Sequence, residues 1–141
     1  MKHLLSKEDR DFQVDFESGK VLPADFNHRA HLRLAYVYLA ENDTETACRM
    51  MRESLQKFLQ DNHIDISKYH ETLTRAWIMA VRHFMEKTPS AESADAFIDQ
   101  NPQMLDAKIM MTHYSAELIF SEQARAKFVE PNLEPIPRYD R

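Results

Sequence analysis

The sequence is poor in glycine and cysteine, and each shortage excludes a class of protein. Gly19 is the only glycine in 141 residues, and Cys48 is the only cysteine. Phosphate-binding loops and dinucleotide-binding motifs need several glycines where the backbone approaches the ligand, so P-loop and Rossmann proteins are excluded. A lone cysteine excludes an intrachain disulfide. Because tight hairpin turns also favour glycine, the composition favours a helical protein.

The sequence also lacks a long apolar run and an excess of basic residues. Without a membrane-spanning run or a signal peptide, we expect a soluble, cytoplasmic protein that has no membrane partner. Eighteen lysines and arginines against twenty-three aspartates and glutamates give a formal net charge of -5. The basic residues are spread along the chain and form no patch, so we expect no nucleic-acid partner.

What the sequence does contain is apolar residues at helical spacing, in three long segments. These segments are residues 26–41, 44–61 and 67–87. The spacing predicts shorter helices around residues 7–16, 90–100 and 121–129, and Asn101-Pro102 is a helix-start signal for a further segment. The first long segment is apolar nearly all round, which is typical of a central helix.

These segments predict an all-α fold. We expect residues 1–141 to form one compact domain, a bundle of about five or six helices, because the chain is long enough to bury a core of its own. Residues 1–25 are then a lead-in to the bundle. Residues 130–141 are an extended, proline-rich tail, because proline removes a backbone donor and restricts the residue before it.

Three histidines stand near the starts of predicted helices, where the apolar pattern calls for a hydrophobic residue. They are His28 and His31 in segment 26–41 and His70 in segment 67–87. Short connections make neighbouring helices antiparallel, so the first and third long helices run parallel and their N-terminal ends meet at the same end of the bundle. The end of segment 44–61 lies there too, which predicts that His63 is close and that His83 is remote.

Three imidazoles at one end of a bundle are a pattern typical of an open metal site. His28 and His31 are three residues apart and lean the same way, and His70 adds a third nitrogen. Such a set suits a divalent zinc, iron or copper ion with a position left open for substrate. Two alternatives stay open: a metal-free ligand or acid–base site, and a structural cluster in which the histidines bond to Tyr36, Tyr69 or Thr74.

Four neighbouring residues are candidates for supporting roles. Glu71 would serve as an acid–base group or orient His70, or else form an exposed ion pair with Arg75, four residues on. Arg29 and Arg33 would clamp an anionic small molecule, or else form a solvated edge. Trp77 would contact the ligand, or else belong to the core.

Three motifs together resemble those of a family of short bacterial helical proteins with no assigned activity. They are Phe26-x-His28-x-x-His31-Leu32, Tyr69-His70-Glu71-Thr72-Leu73-Thr74 and the segment Phe128-Val129-Glu130-Pro131 with its continuation to Pro137. The resemblance spans about residues 26–137 and implies only that these segments form a site.

The sequence therefore predicts a small metal-binding helical protein, which we interpret as a metal-dependent enzyme acting on a small molecule. The alternative is a non-catalytic helical module that binds a partner or small ligand and in which the histidines are structural.

Overall fold

The structure is a computed structural model that describes residues 2–139, and it is mostly helical. Its α-helices are α1 (Lys7–Glu17), α2 (His28–Glu41), α3 (Thr44–Asp61), α4 (Glu71–Lys87), α5 (Ala94–Gln100), α6 (Ala116–Ile119) and α7 (Glu122–Ala126). Two short strands, β1 (Lys2–His3) and β2 (Ser90–Ala91), and four 3₁₀ turns at Pro23–Asp25, Ile66–Lys68, Pro102–Leu105 and Ala107–Thr112 complete it. No helix among residues 2–139 combines the length and the apolar composition that crossing a membrane requires.

α2 is the central helix, as its apolar pattern predicts. Residues 34–39 of α2 are all buried. The helix packs against α1, α3, α4 and α5. Because α2 has neighbours on every side, a stripe of polar side chains would be buried at a cost in free energy. The sequence of α2 has almost no such stripe.

Side-chain caps set where the long helices begin. Asp43 accepts a hydrogen bond from the Thr46 N–H at 2.7 Å, so α3 begins at residue 44 as predicted. Asn27 accepts from the Ala30 N–H at 2.9 Å, so α2 begins at His28, two residues later than predicted. In both helices the carboxylate or amide oxygen satisfies an amide that has no partner within the helix.

α4 begins at Glu71, four residues after the predicted start at residue 67. Residues 66–68 form a separate 3₁₀ turn, which Asp65 caps. His70 then has extended backbone angles, φ -129° and ψ 105°, and caps α4 from outside the helix. His70 is therefore not a member of the apolar stripe of α4, although it lies at the end of the helix where the sequence places it.

A single buried carboxylate, that of Asp9, joins the segment before α2 to the rest of the bundle. Asp9 is fully buried and forms a reciprocal capping box with Ser6 at the start of α1. Its carboxylate also accepts from the Ala94 N–H at 2.9 Å and from Arg33 Nε at 3.0 Å. Asp9 thus ties α1 to α2 and to the start of α5.

A two-residue parallel sheet was not expected from the sequence. Lys2 pairs with Ser90 and His3 with Ala91. Residues this few give no alternating pattern to detect. The strand at Ser90–Ala91 and the cap at Ser93 delay the start of α5 to Ala94, where the sequence predicts a helix from residue 90.

The segment after α5 forms 3₁₀ turns, where helical spacing predicts a longer helix. Asp106 has extended backbone angles, and its side chain accepts from the Lys108 N–H, which separates the turns at Pro102–Leu105 and Ala107–Thr112. Residues 127–139 contain no helix or strand. In that stretch Ile136 is buried in the core, whereas Leu133 is 52% exposed.

Candidate functional site

A pocket of about 370 Å³ opens where the N-terminal turns of α2 and α4 meet the C-terminal half of α3. Its lining residues are Phe26, Asn27, His28, His31, Leu55, Phe58, Leu59, Lys68, Tyr69, His70, Leu73, Thr74 and Trp77. The parallel arrangement of α2 and α4 that the sequence predicts therefore brings all three candidate histidines to one pocket.

Aromatic and aliphatic side chains make up most of the pocket wall. The rings of Phe26 and Phe58 pack with their centroids 5.2 Å apart. Trp77, the predicted ligand contact, is nearly buried and presents its ring edge-on to His28, with 4.8 Å between centroids. Trp77 therefore belongs to the core and also lines the pocket, while its contact with a ligand stays a prediction.

Both ring nitrogens of His70 are engaged by backbone groups. Nδ1 accepts from the Leu73 N–H at 3.1 Å, which caps α4. Nε2 therefore carries the proton and donates to the Ile119 carbonyl at 2.6 Å. Burial outweighs that donation and lowers the pKa of His70, so the imidazole is neutral near pH 7.

His28 is committed at one nitrogen only. Its Nε2 donates to the Met104 carbonyl at 2.9 Å, which fastens the 3₁₀ turn at Pro102–Leu105 to the start of α2. No hydrogen bond engages its Nδ1 within residues 2–139. His28 thus has a structural contact and one nitrogen left for a ligand.

Among the three candidate histidines, His31 is the one whose ring makes no hydrogen bond within residues 2–139. Neither of its ring nitrogens has a hydrogen-bond partner in the described part of the chain, and its ring packs against Phe26 with 5.8 Å between centroids. Burial, with a smaller contribution from His28, lowers the pKa of His31 to about 4. At neutral pH His31 therefore offers the pocket one N–H donor and one acceptor nitrogen.

No three histidine, cysteine, aspartate or glutamate side chains within residues 2–139 are grouped so that they could hold one metal ion. His70 is in addition committed to the protein itself, because a metal at either of its nitrogens would displace a backbone hydrogen bond. The free nitrogens of His28 and His31 remain, so the metal hypothesis stays a prediction that rests on these two residues.

Glu71 lies outside the pocket wall and faces a neighbouring groove. Its carboxylate accepts from Arg52 Nε at 3.0 Å and from the Tyr69 hydroxyl at 2.6 Å. Burial alone would raise the pKa of Glu71, but these hydrogen bonds outweigh it and hold the pKa below its usual value. The predicted alternative partner, Arg75, instead forms an ion pair with Glu45.

Arg29 and Arg33 also point away from the pocket, toward α1 and α5. Arg29 contacts Asp95 and Asp99 at 3.1 Å each. Arg33 contacts Asp9 at 3.0 Å and Asp95 at 3.4 Å. Both guanidinium groups are therefore occupied by carboxylates of the chain itself, and the carboxylate of Asp9 is fully buried.

The other candidates for a structural role have partners of their own. The Tyr36 hydroxyl donates to the Leu4 carbonyl, and Thr74 donates to the His70 carbonyl. His63 does not line the pocket, although α3 ends nearby, and His83 bonds to Tyr139. The tyrosines and Thr74 therefore do not engage His28 or His31.

Sequence reasoning missed the residues that α3 contributes to the wall and missed Lys68. Leu55, Phe58 and Leu59 follow the apolar stripe of α3, and the antiparallel topology would have placed them at the same end. Lys68 lies in the 3₁₀ turn before α4, and only the three-dimensional structure reveals its place at the pocket. The carbonyls of Met104 and Ile119 carry no sequence signal.

Comparison with known proteins supplies no relative from which a role for this pocket could be inferred. No protein-family model matches the chain, and no curated protein or solved structure gives a significant match.

Proposed function

We propose that this chain is a single helical domain that binds a small, mostly apolar molecule in the pocket between α2, α3 and α4. The observation that carries the proposal is His31, an imidazole with no hydrogen-bond partner in residues 2–139 that stands in an apolar wall. Both ring nitrogens of His31 are therefore available to a molecule bound in the pocket. A ligand with one polar end would form a hydrogen bond with one of them.

The size and composition of the pocket support this proposal. About 370 Å³ lies within the range of small-molecule sites, which are mostly apolar with a few placed polar groups. The neutral His31 provides a donor and an acceptor, and the aromatic rings of Phe26, Phe58 and Trp77 provide the apolar contact. With one buried cysteine, Cys48, the chain needs no oxidising compartment, and we place it in the cytoplasm.

Binding of small fragments, followed by NMR, tests this proposal. We expect fragments that join a ring or short aliphatic chain to one polar group to shift the amide resonances of pocket residues. His31→Leu keeps a side chain of similar size but removes both nitrogens, and it should weaken binding about tenfold, which is one lost hydrogen bond of about 1.4 kcal/mol. His63→Asn is the control, because His63 lies outside the pocket.

Two outcomes would contradict the proposal. One is a set of fragments that shifts no pocket resonance at all. The other is equal binding to the wild type and to His31→Leu, which would mean that His31 does not recognise the ligand.

A second candidate function, metal-dependent catalysis, is favoured by one observation. His28 Nδ1 and both nitrogens of His31 are free among residues 2–139, and the two residues are one helical turn apart. Two imidazoles would supply two of the ligands of a zinc, iron or copper ion, and water or substrate would supply the others. The chain would then be a small metal-dependent enzyme.

Measuring the metal content of untagged protein, expressed in media supplemented with zinc, iron or copper in turn, distinguishes this candidate from the first. Near-stoichiometric metal in the wild type that is lost in His28→Gln/His31→Gln would support it. A control with His63→Asn/His83→Gln removes two histidines elsewhere and should retain the metal. Protein that is free of metal from every medium would contradict the second candidate and leave the first intact.

A further inference from the structure

The pocket carries no acidic side chain, although the protein as a whole is acidic. Of the lining residues that the structure describes, none is aspartate or glutamate. The chain has twenty-three acidic residues and a formal net charge of -5. The local charge at the pocket therefore has the opposite sign to that of the whole molecule.

Lys68 is the only lysine, arginine, aspartate or glutamate that the structure places in the pocket lining. Arg29, Arg33 and Arg52 are held by carboxylates of the chain. Lys68 is exposed and forms no salt bridge within residues 2–139. Arg125 also has no salt bridge within residues 2–139, but it donates to the Ser67 carbonyl and does not line the pocket. The pKa of Asp65 is lowered mainly by its hydrogen bonds with Ser67, and the charge of Lys68 adds a smaller effect. An ammonium group without an ion-pair partner at the edge of an apolar pocket is available to an anion.

The backbone adds to this positive potential. The first turns of α2 and α4 both line the pocket, through His28 and through Leu73 and Thr74. Helix N-termini carry partial positive charge that favours anions within about one turn. This contribution supports the one from Lys68 and does not replace it.

We infer that the ligand of this pocket is a small carboxylic acid with an aromatic or aliphatic body. Its carboxylate meets Lys68 and accepts the His31 N–H, while its body packs against Phe26, Phe58 and Trp77. This inference rests on the proposed binding function and adds the charge of the ligand to it. It also assigns Lys68 as the residue that determines specificity.

Pairs of carboxylates and their primary amides test the inference, because members of a pair differ in charge and little in shape. We would titrate 3-phenylpropanoate, indole-3-acetate and octanoate, with their three amides, into the isotopically labelled protein at pH 7. The carboxylate of at least one pair should bind about tenfold more tightly than its amide, since a hydrogen bond to a charged group is stronger than one to a neutral group. Added salt should reduce that ratio.

Lys68→Gln is the decisive variant. It should remove most of the preference for the carboxylate, so that the ratio of the two affinities falls toward one. Lys87→Gln is the matched control, because it also removes one lysine charge, but at the C-terminal end of α4 and away from the pocket. The control should keep the full preference.

The outcomes separate this inference from the function on which it rests. Equal binding of carboxylate and amide, with His31→Leu still weakening both, would overturn the charge inference alone. A preference that survives in Lys68→Gln would overturn the role of Lys68. No binding of any member of any pair would overturn the inference and, together with a failed fragment experiment, the proposed function as well.

Discussion

The imidazole of His70 caps α4 by accepting the backbone N–H of Leu73 at 3.1 Å. Serine, threonine, aspartate and asparagine are the usual residues at this position, because their short side chains carry an acceptor oxygen. Histidine does the same with Nδ1, and it uses the opposite side of the ring to hold the Ile119 carbonyl at 2.6 Å. One side chain thus starts a helix and fastens α6 to it.

We expect His70→Ala to lower the free energy of unfolding by about 3 kcal/mol. Loss of an N-cap costs about 1 kcal/mol, and the Ile119 carbonyl left without its donor costs about 1 to 3 more. His70→Asn should recover about 1 kcal/mol, because asparagine caps well but does not reach Ile119. Urea denaturation of the three proteins measures this, and an asparagine variant no more stable than the alanine variant would contradict the capping role.

The pKa of His31 makes stability depend on pH. That pKa is about 4 in the folded protein and about 6.5 in an unfolded chain, so the unfolded state binds more protons between these values. His31 therefore has little effect on the pH dependence of stability above pH 6.5. Below that pH, the free energy of unfolding falls as the pH drops toward 4. From pH 7 to pH 5 the loss from His31 alone should be about 2 kcal/mol.

Comparison with His31→Gln isolates this contribution. Glutamine does not titrate, so the variant should lose about 2 kcal/mol less than the wild type between pH 7 and pH 5. The pKa values of His70 and His83 are also lowered, but these residues remain in both proteins. The measurement is chemical denaturation at the two pH values, and parallel losses in both proteins would show that His31 titrates normally.

Asp9→Asn should destabilise the protein by about 3 kcal/mol. Asparagine keeps one acceptor oxygen but puts an N–H donor in place of the other, so at least one of the N–H groups that bond to Asp9 loses its acceptor. Arg33 also loses the buried carboxylate that it contacts at 3.0 Å. Asp11→Asn is the control, since Asp11 pairs with Lys7 on an exposed surface and should cost less than about 0.5 kcal/mol. Thermal and urea unfolding give both values, and equal effects would show that burial of Asp9 contributes nothing.

A double-mutant cycle between Glu71 and Arg52 tests whether Glu71 is structural or functional. We expect a coupling energy of about 1 kcal/mol for Glu71→Gln and Arg52→Gln, since Glu71 is mostly buried but Arg52 is partly exposed to screening solvent. Affinity for the carboxylate probes should not change in Glu71→Gln. A fall in that affinity would instead show that the residue acts at the ligand, as the sequence hypothesis proposes.

The positions and directions of the three long helices could be predicted from sequence to within four residues, because local patterns determine them. The helix predicted after Asn101-Pro102 was wrong, since that segment forms 3₁₀ turns. The bounds of α3 follow from its apolar spacing and the cap at Asp43. Short connections were enough to place His28, His31 and His70 at one end. What the sequence could not reveal depends on distant contacts: the hydrogen bond from His28 to Met104, the carboxylates that hold Arg29, and the place of Lys68 at the pocket.

The buried position of Asp9 also determines the order in which this protein can be completed. Its carboxylate bonds to the Ala94 N–H, 85 residues further along the chain, and Lys2 pairs with Ser90. On the ribosome, α1 can pack against α2 and α3 once these helices have emerged, but the Asp9 carboxylate and β1 acquire these partners only after residues 90–94 have been synthesised. Contacts this distant in sequence slow folding, so the pairing of β1 with β2 and the hydrogen bond from Ala94 to Asp9 should form late, after α1, α2 and α3 have packed together.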